Sequence, residues 1–150
     1  MPEFGPAAVT DVPQLVALLD DLFRIEQDFR PDPGKQRRGL EMLIADPDRG
    51  VMMVARIAGA VVGMVSAQLV MSTAEGAYSA WVEDMVIAPQ WRAHGIGKHL
   101  LQSALDWARS RGATRAQLLV DLDNAPALGY YEHLGWQATR LGARRLLLRS

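Results

Sequence analysis

A mixed α/β fold, one central sheet with helices on both faces, is the architecture this 150-residue chain predicts. Three observations lead there. Hydrophobic residues make up 49% of the chain and charged residues 22%, enough apolar material to core a single domain spanning residues 1–150. Two helical segments precede three apolar runs of strand type, and a third, strongly amphipathic helix follows them. The resulting order, βααβββαβαββ, describes a mixed sheet covered on both sides.

Residues 3–9 form a weak first strand. Thr10 and Asp11 are N-capping residue types and Pro13 suits a first helical turn. Val12, Leu15, Val16, Leu18, Leu19, Leu22 and Phe23 then recur with a helical period. Pro31-Asp32-Pro33-Gly34 breaks the chain, and a second helix over 34–45 carries Leu40, Leu43 and Ile44 on one side. After the turn at 46–50, residues 51–57 and 60–71 are apolar strands around the two-residue turn Ala58-Gly59. A third strand over 77–88 stops at Pro89. Residues 95–112 are the clearest helix, with Ile96, Leu100, Leu101, Ala104, Leu105 and Ala108 on one face. Residues 116–122 form a buried strand and 124–134 a helix ended by Gly135. Short closing strands follow at 136–138 and 144–149. Met52, Met53, Met64, Met71 and Met85 read as filler of core and cleft.

Composition narrows the functions. The net charge of −1 gives no general attraction to nucleic acid or an anionic membrane. With no cysteine there are no disulfides, thiolate metal sites or cysteine nucleophile, which fits a reducing cytoplasm. The opening Met-Pro-Glu-Phe-Gly-Pro lacks the regions of a signal peptide, and no apolar run is long enough to span a bilayer. His94, His99 and His133 lack metal-ligand spacing, so no metal is expected. Charge is unevenly placed: residues 1–91 hold 13 acidic and 7 basic side chains, whereas residues 92–150 hold 4 acidic and 9 basic. Solvated faces can differ this much by chance. A basic half for an anionic cofactor and an acidic half for a cationic substrate is the functional alternative.

The most informative segment is Arg92-Ala93-His94-Gly95-Ile96-Gly97-Lys98, between a strand and the amphipathic helix. Glycines let backbone approach a ligand, and the first helical amides, with the helix dipole, favour a phosphate or pyrophosphate. A dinucleotide fingerprint would need glycine at Leu100, and a P-loop would need glycine at Arg92 and Ser or Thr at His99. The pattern Arg-x-x-Gly-x-Gly after a strand fits at every marked position. A ligand-free glycine turn is the bland alternative, and the flanking charges of Arg92 and Lys98 count against it.

At this point the sequence resembles the GNAT N-acetyltransferases. The resemblance runs over nearly the whole chain. It includes Thr10-Asp11-Val12-Pro13, then Trp81-Val82-Glu83-Asp84-Met85-Val86-Ile87, then Gln90-Trp91 leading into the phosphate segment. It ends in Asn124-Ala125-Pro126-Ala127-Leu128-Gly129-Tyr130-Tyr131-Glu132-His133-Leu134-Gly135-Trp136. Ala93 and His94 replace the family's usual small and basic residues, and Trp136 its usual Phe.

The resemblance implies a GNAT-type central mixed sheet that binds acetyl-CoA where two parallel strands, here 77–88 and 116–122, splay apart. The backbone of Met85, Val86 and Ile87 would bond the pantetheine arm, and amides of Arg92, Ala93, His94, Gly95, Ile96, Gly97 and Lys98 would hold the pyrophosphate. A splayed strand leaves amides unpaired, and an extended arm satisfies them as an added strand does. One such amide near the thioester carbonyl would stabilise the oxyanion. Tyr131 is the candidate general acid for the leaving thiolate, against the alternative of a core tyrosine. Glu83 is the candidate base, against a carboxylate that only binds a cation. On a regular strand Asp84 faces the other way, so one of the two faces the cleft, and a bulge would swap that parity. Asn124 either bonds the pantetheine or caps its helix. Glu26, Asp28 and Phe29 lie where the family builds its acceptor wall and could hold a cation with Asp84, or form a solvated turn. The expected function is acetyl transfer to a primary amine of a small molecule or protein by direct attack, without an acetyl-enzyme. An acyl-CoA sensor or interaction module with little catalysis is the alternative. Members are often dimers, and strands 136–149 could contribute to a homodimer. Arg140, Arg144, Arg145 and Arg149 argue against an extensive apolar contact there.

Overall fold

The computed structural model describes residues 1–25 and 30–149. Two units are distinguished, Met1–Leu118 and Leu119–Ser150. The first holds five strands: β1 (Glu3–Pro6), β2 (Gly50–Ile57), β3 (Ala60–Ser72), β4 (Ala77–Ile87) and β5 (Ala113–Leu118). They lie side by side in chain order, antiparallel from β1 to β4, with β5 parallel to β4. Ala58 and Gly59 both take positive φ, 50° and 81°, the conformation that matches a two-residue turn to strand twist.

Three helices cover this sheet: α1 (Val12–Ile25), α2 (Pro33–Ile44) and α3 (Ile96–Ser110). Strand alternation sorts the two faces. Met52 and Val54 of β2, Met64 of β3 and Val86 of β4 form one buried cluster with Val12, Leu15, Leu18 and Leu19 of α1 and Leu40 of α2. On the other face lies α3, with Leu100, Leu101, Ala104 and Ala108 buried. Gly63 of β3 makes room there: a Cβ would stand 2.6 Å from Ile87 Cδ1 and 3.3 Å from Leu100 Cδ2. A fully buried leucine such as Leu15 or Leu100 contributes roughly 1.5–3 kcal/mol through area removed from water.

The entry to α1 is pinned by charge. The chain reaches it through a 3-10 turn, Val9–Asp11. Asp11 accepts from the Ala8 N–H at 2.7 Å instead of capping the helix ahead of it. Both of its oxygens also accept from Arg56 of β2, at 2.7 and 2.5 Å, in a bidentate pair. These bonds from Arg56 hold the buried Asp11 carboxyl below the ordinary carboxylate range. The start of α2 does use a cap, with Asp32 accepting from the Lys35 N–H at 3.2 Å.

The second unit contains α4 (Ala125–His133). Among the described residues no strand follows β5, so the closing strands expected at 136–138 and 144–149 do not form. Leu141, Leu146, Leu147 and Leu148 are 60–92% exposed. Apolar composition favours burial, but a strand exists only where another backbone completes its ladder. β5 also begins and ends earlier than the 116–122 expected from its apolar run: Ala113 and Arg115 take ladder positions that hydropathy alone would leave out, and the pairing stops at Leu118. Met71, expected as filler, is exposed at the end of β3.

Candidate active site

The sheet opens beside β4. On one side β4 pairs with β3 from Ala77 to Glu83 and again at Val86 and Ile87. On the other it pairs with β5 only from Tyr78 to Val82, where Leu118 ends the partner strand. Glu83 to Ile87 therefore form an edge with no β5 partner among the described residues. This stretch includes Met85, Val86 and Ile87, the segment that the resemblance assigns to an extended ligand.

At the opening β4 is bulged. Ser66 pairs with Glu83 but Met64 with Val86, so three residues of β4 advance against two of β3. Asp84 carries the bulge at φ 55°. The Ser66 hydroxyl, buried beneath it, donates to the Glu83 carbonyl at 3.1 Å. The bulge resets the alternation, placing Glu83 and Val86 on the same face. A regular strand would set Glu83 and Asp84 on opposite faces; with the bulge, both line one cavity of about 470 Å³ on the α1–α2 side. The Trp81 indole N–H donates to the Glu83 carboxylate. Leu19 and Phe23 from α1, Leu40 and Leu43 from α2, and Met52 from β2 supply apolar wall. Asp46, Arg49 and Gln68 add polar wall. Glu26, Asp28 and Phe29, expected in an acceptor wall, lie outside the described residues.

β4 leads through a 3-10 turn, Pro89–Trp91, into the start of α3. Ala93 and Gly95 both take left-handed conformations, φ 64° and 77°. Only at glycine is this free of steric cost, so the strain falls on Ala93. Gly95 is the N-cap and has no side chain to cap with. The amides of Ile96, Gly97 and Lys98 fall in the first turn, which has no intrahelical acceptors. Arg92 is not wholly available to a ligand: its Nε donates to the Ile87 carbonyl at 3.0 Å, tying the loop to the end of the open strand edge. The His94 ring bonds the Arg92 carbonyl at 2.7 Å and packs edge-on against Trp91. Arg92, Ala93, His94, Gly95 and Lys98 are exposed, and Ile96 anchors the turn in the core.

In the second unit Asn124 is the N-cap of α4, its side-chain oxygen accepting from the Ala127 N–H at 3.2 Å. Half-buried Tyr131 stands edge-on to Tyr130 and Trp136, at 5.5 and 6.0 Å between ring centres. Burial pushes the Tyr130 phenol above its ordinary value.

Sequence reasoning missed Gln36, buried in the wall of the cavity. A signal was available, since Gln36 falls one turn before Leu40 on the stripe that continues to Leu43 and Ile44. A polar residue on an apolar stripe marks either a paired core group or a site.

The mixed α/β sheet thus opens at a bulged strand that leads into the uncapped start of α3. The chain belongs to the Acetyltransferase (GNAT) family, whose model matches residues 16–136. It is 44% identical over 64 residues to streptothricin acetyltransferase of Streptomyces lavendulae, covering 39% of this chain and 34% of that protein. With the aminoalkylphosphonate N-acetyltransferase of Salmonella typhimurium it shares 26% identity over 135 residues, 90% of this chain and 84% of the relative. A solved structure of a predicted acetyltransferase with acetyl-CoA, from Clostridium acetobutylicum, superposes at a TM-score of 0.79. That match has 18% identity and covers 99% of this chain and 97% of the other. The chain spans 34%, 40% and 37% of the lengths of three curated relatives it matches. Among the described residues no helix is long and apolar enough to cross a membrane, and no group of acidic or histidine side chains is arranged to hold a metal.

Proposed function

We propose that this chain is an acetyl-CoA-dependent N-acetyltransferase, acting as a single domain over residues 1–150 on a primary amine. The observation that carries the reading is the loss of β4's partner after Val82, directly before the helix start at Gly95. An extended arm can complete the ladder along Met85, Val86 and Ile87 while its pyrophosphate meets the amides of residues 92–98. The family match and the acetyl-CoA in the Clostridium acetobutylicum structure support that choice of ligand.

Acetyl-CoA supplies an acetyl group activated as a thioester. The chain's own residues do the rest. The acidic wall of Glu83 and Asp84 attracts the acceptor as an ammonium. Glu83, directly or through water, takes the proton that frees the nitrogen lone pair. A backbone amide of the open edge stabilises negative charge on the carbonyl oxygen. As the new C–N bond forms and the C–S bond breaks, Tyr131 returns a proton to the thiolate. Asn124 contributes through the fold of α4, and Glu26, Asp28 and Phe29 are assigned to the acceptor wall by family resemblance. The names of relatives supply two acceptor classes to test, a small amine such as an aminoalkylphosphonate or streptothricin and a protein N-terminal alanine. The proposed setting is the cytoplasm, as a monomer or homodimer.

The test is acetyl-CoA titration of the purified chain followed by an amine panel, with thiol release and acetylated product both measured. Turnover with stoichiometric product is the expected result. Binding of acetyl-CoA without turnover on any amine would instead favour a sensor module, and no binding would remove both.

A further inference from the structure

We infer that Gln36 is a specificity contact of the acceptor cavity and hydrogen-bonds an amide that the acceptor carries beside its amine. This rests on reading the cavity as the acceptor site. Gln36 lies on α2 at 9% exposure. Its Nε2 and Oε1 are both buried and have no hydrogen-bond partner among the described residues. The great majority of buried polar groups are paired, because an unmade bond carries the whole desolvation cost. Leucine would suit the stripe that continues through Leu40 and Leu43. A glutamine there works against the local pattern, and such departures concentrate at functional sites.

The chemistry of the wall narrows the partner. A carboxamide presents N–H donors and a carbonyl acceptor in one plane. A carboxylate ligand would accept from Nε2, leave Oε1 unpaired, and meet the three carboxylates of Asp46, Glu83 and Asp84 against the one guanidinium of Arg49 in the same cavity lining. A second cation would donate to Oε1 and leave Nε2 unpaired. Another amide satisfies both atoms at once, through two antiparallel N–H···O bonds. With the amine held toward Glu83 and Asp84, the acceptor class is an amino amide. A free aminoacyl amide and the N-terminus of a peptide share that chemistry.

Calorimetry on the full chain would use glycinamide, β-alaninamide and 4-aminobutanamide as probes. Each is paired with an amine in which an isopropyl group replaces the carboxamide, and a glycine-initiated tripeptide amide is the peptide arm. At least one amide should bind about tenfold more tightly than its partner, and that preference should vanish in Gln36→Leu and Gln36→Met. Acetyl-CoA affinity should be unchanged in both variants. Both should melt at or above the wild type, since an unpaired buried amide is replaced by apolar volume. Preference for the tripeptide over every free amide would identify the peptide source, and the reverse the small molecule. No preference at any length, or one that persists in both variants, would overturn the inference. Turnover without preference removes this inference alone. Gln36-dependent amide binding without turnover removes only the transferase reading.

Discussion

Removing the guanidinium at Arg56 while keeping its stem, as in Arg56→Met, leaves a buried carboxylate without its cation. Asp11 is 4% exposed and, among the described residues, accepts two hydrogen bonds from Arg56 and a third from the Ala8 N–H. Breaking a buried pair costs about 3–5 kcal/mol. Here the Arg56 side chain is 28% exposed and the Ala8 bond survives, so the expected loss is about 2–3 kcal/mol. For a chain of this size that lowers Tm by about 4–12 °C. The pH dependence gives the sign. In the wild type the Asp11 carboxyl is depressed, so its stabilisation is present above the unfolded value and lost as pH falls through the lower folded value. Without Arg56, burial raises the carboxyl instead, so the charged form destabilises at neutral pH and protonation relieves it. Urea unfolding at pH 7 and pH 3 should therefore give a large difference between variant and wild type at pH 7 and a smaller one at pH 3. A difference below about 0.5 kcal/mol at pH 7, or one of equal size at both, would refute the argument. The effect should reach the cavity, because Leu19 and Phe23 line it from the helix that Asp11 anchors.

Gly97→Glu sets a carboxylate in the first turn of α3 and should weaken acetyl-CoA at least tenfold by calorimetry, with the melting temperature little changed. Tyr131→Phe should lower turnover about 10²–10⁴-fold while leaving acetyl-CoA affinity nearly as it was, and wild-type turnover would retire the phenol as acid. Glu83→Gln should lose most rate at low pH, where the amine is protonated, so a pH–rate profile parallel to wild type would leave Glu83 a binding carboxylate. Asp84→Gly should keep the bulge, whereas Asp84→Val, β-branched at positive φ, should weaken both stability and acetyl-CoA binding.

Much of this was legible in the sequence because period and punctuation agree. The α1 and α3 stripes, the Ala58-Gly59 turn and the glycine pair at 95 and 97 each fix an element locally. The order of the elements from β1 to α4, with a glycine turn before α3, follows from them. Three features were not local. The bulge at Asp84 depends on how many residues of β3 oppose β4, which no window on β4 contains. The closing strands needed a ladder partner, and exposed leucines at 146–148 carry no information about one. The isolation of Gln36 is a property of its surroundings, visible in sequence only as a polar interruption of the α2 stripe.

Gly63 sets a manufacturing tolerance for the molecule. It is the point where β3 has no side chain, and both Ile87 and Leu100 close over it. Ile87 ends the open edge of β4, and Leu100 sits about one turn inside α3 from the amides at its start. The strand edge and the first turn of α3 are thus gauged from a common flat spot. A single added methyl would act as a shim beneath both, pressing on Ile87 and Leu100 and changing the separation between the open edge and the helix start.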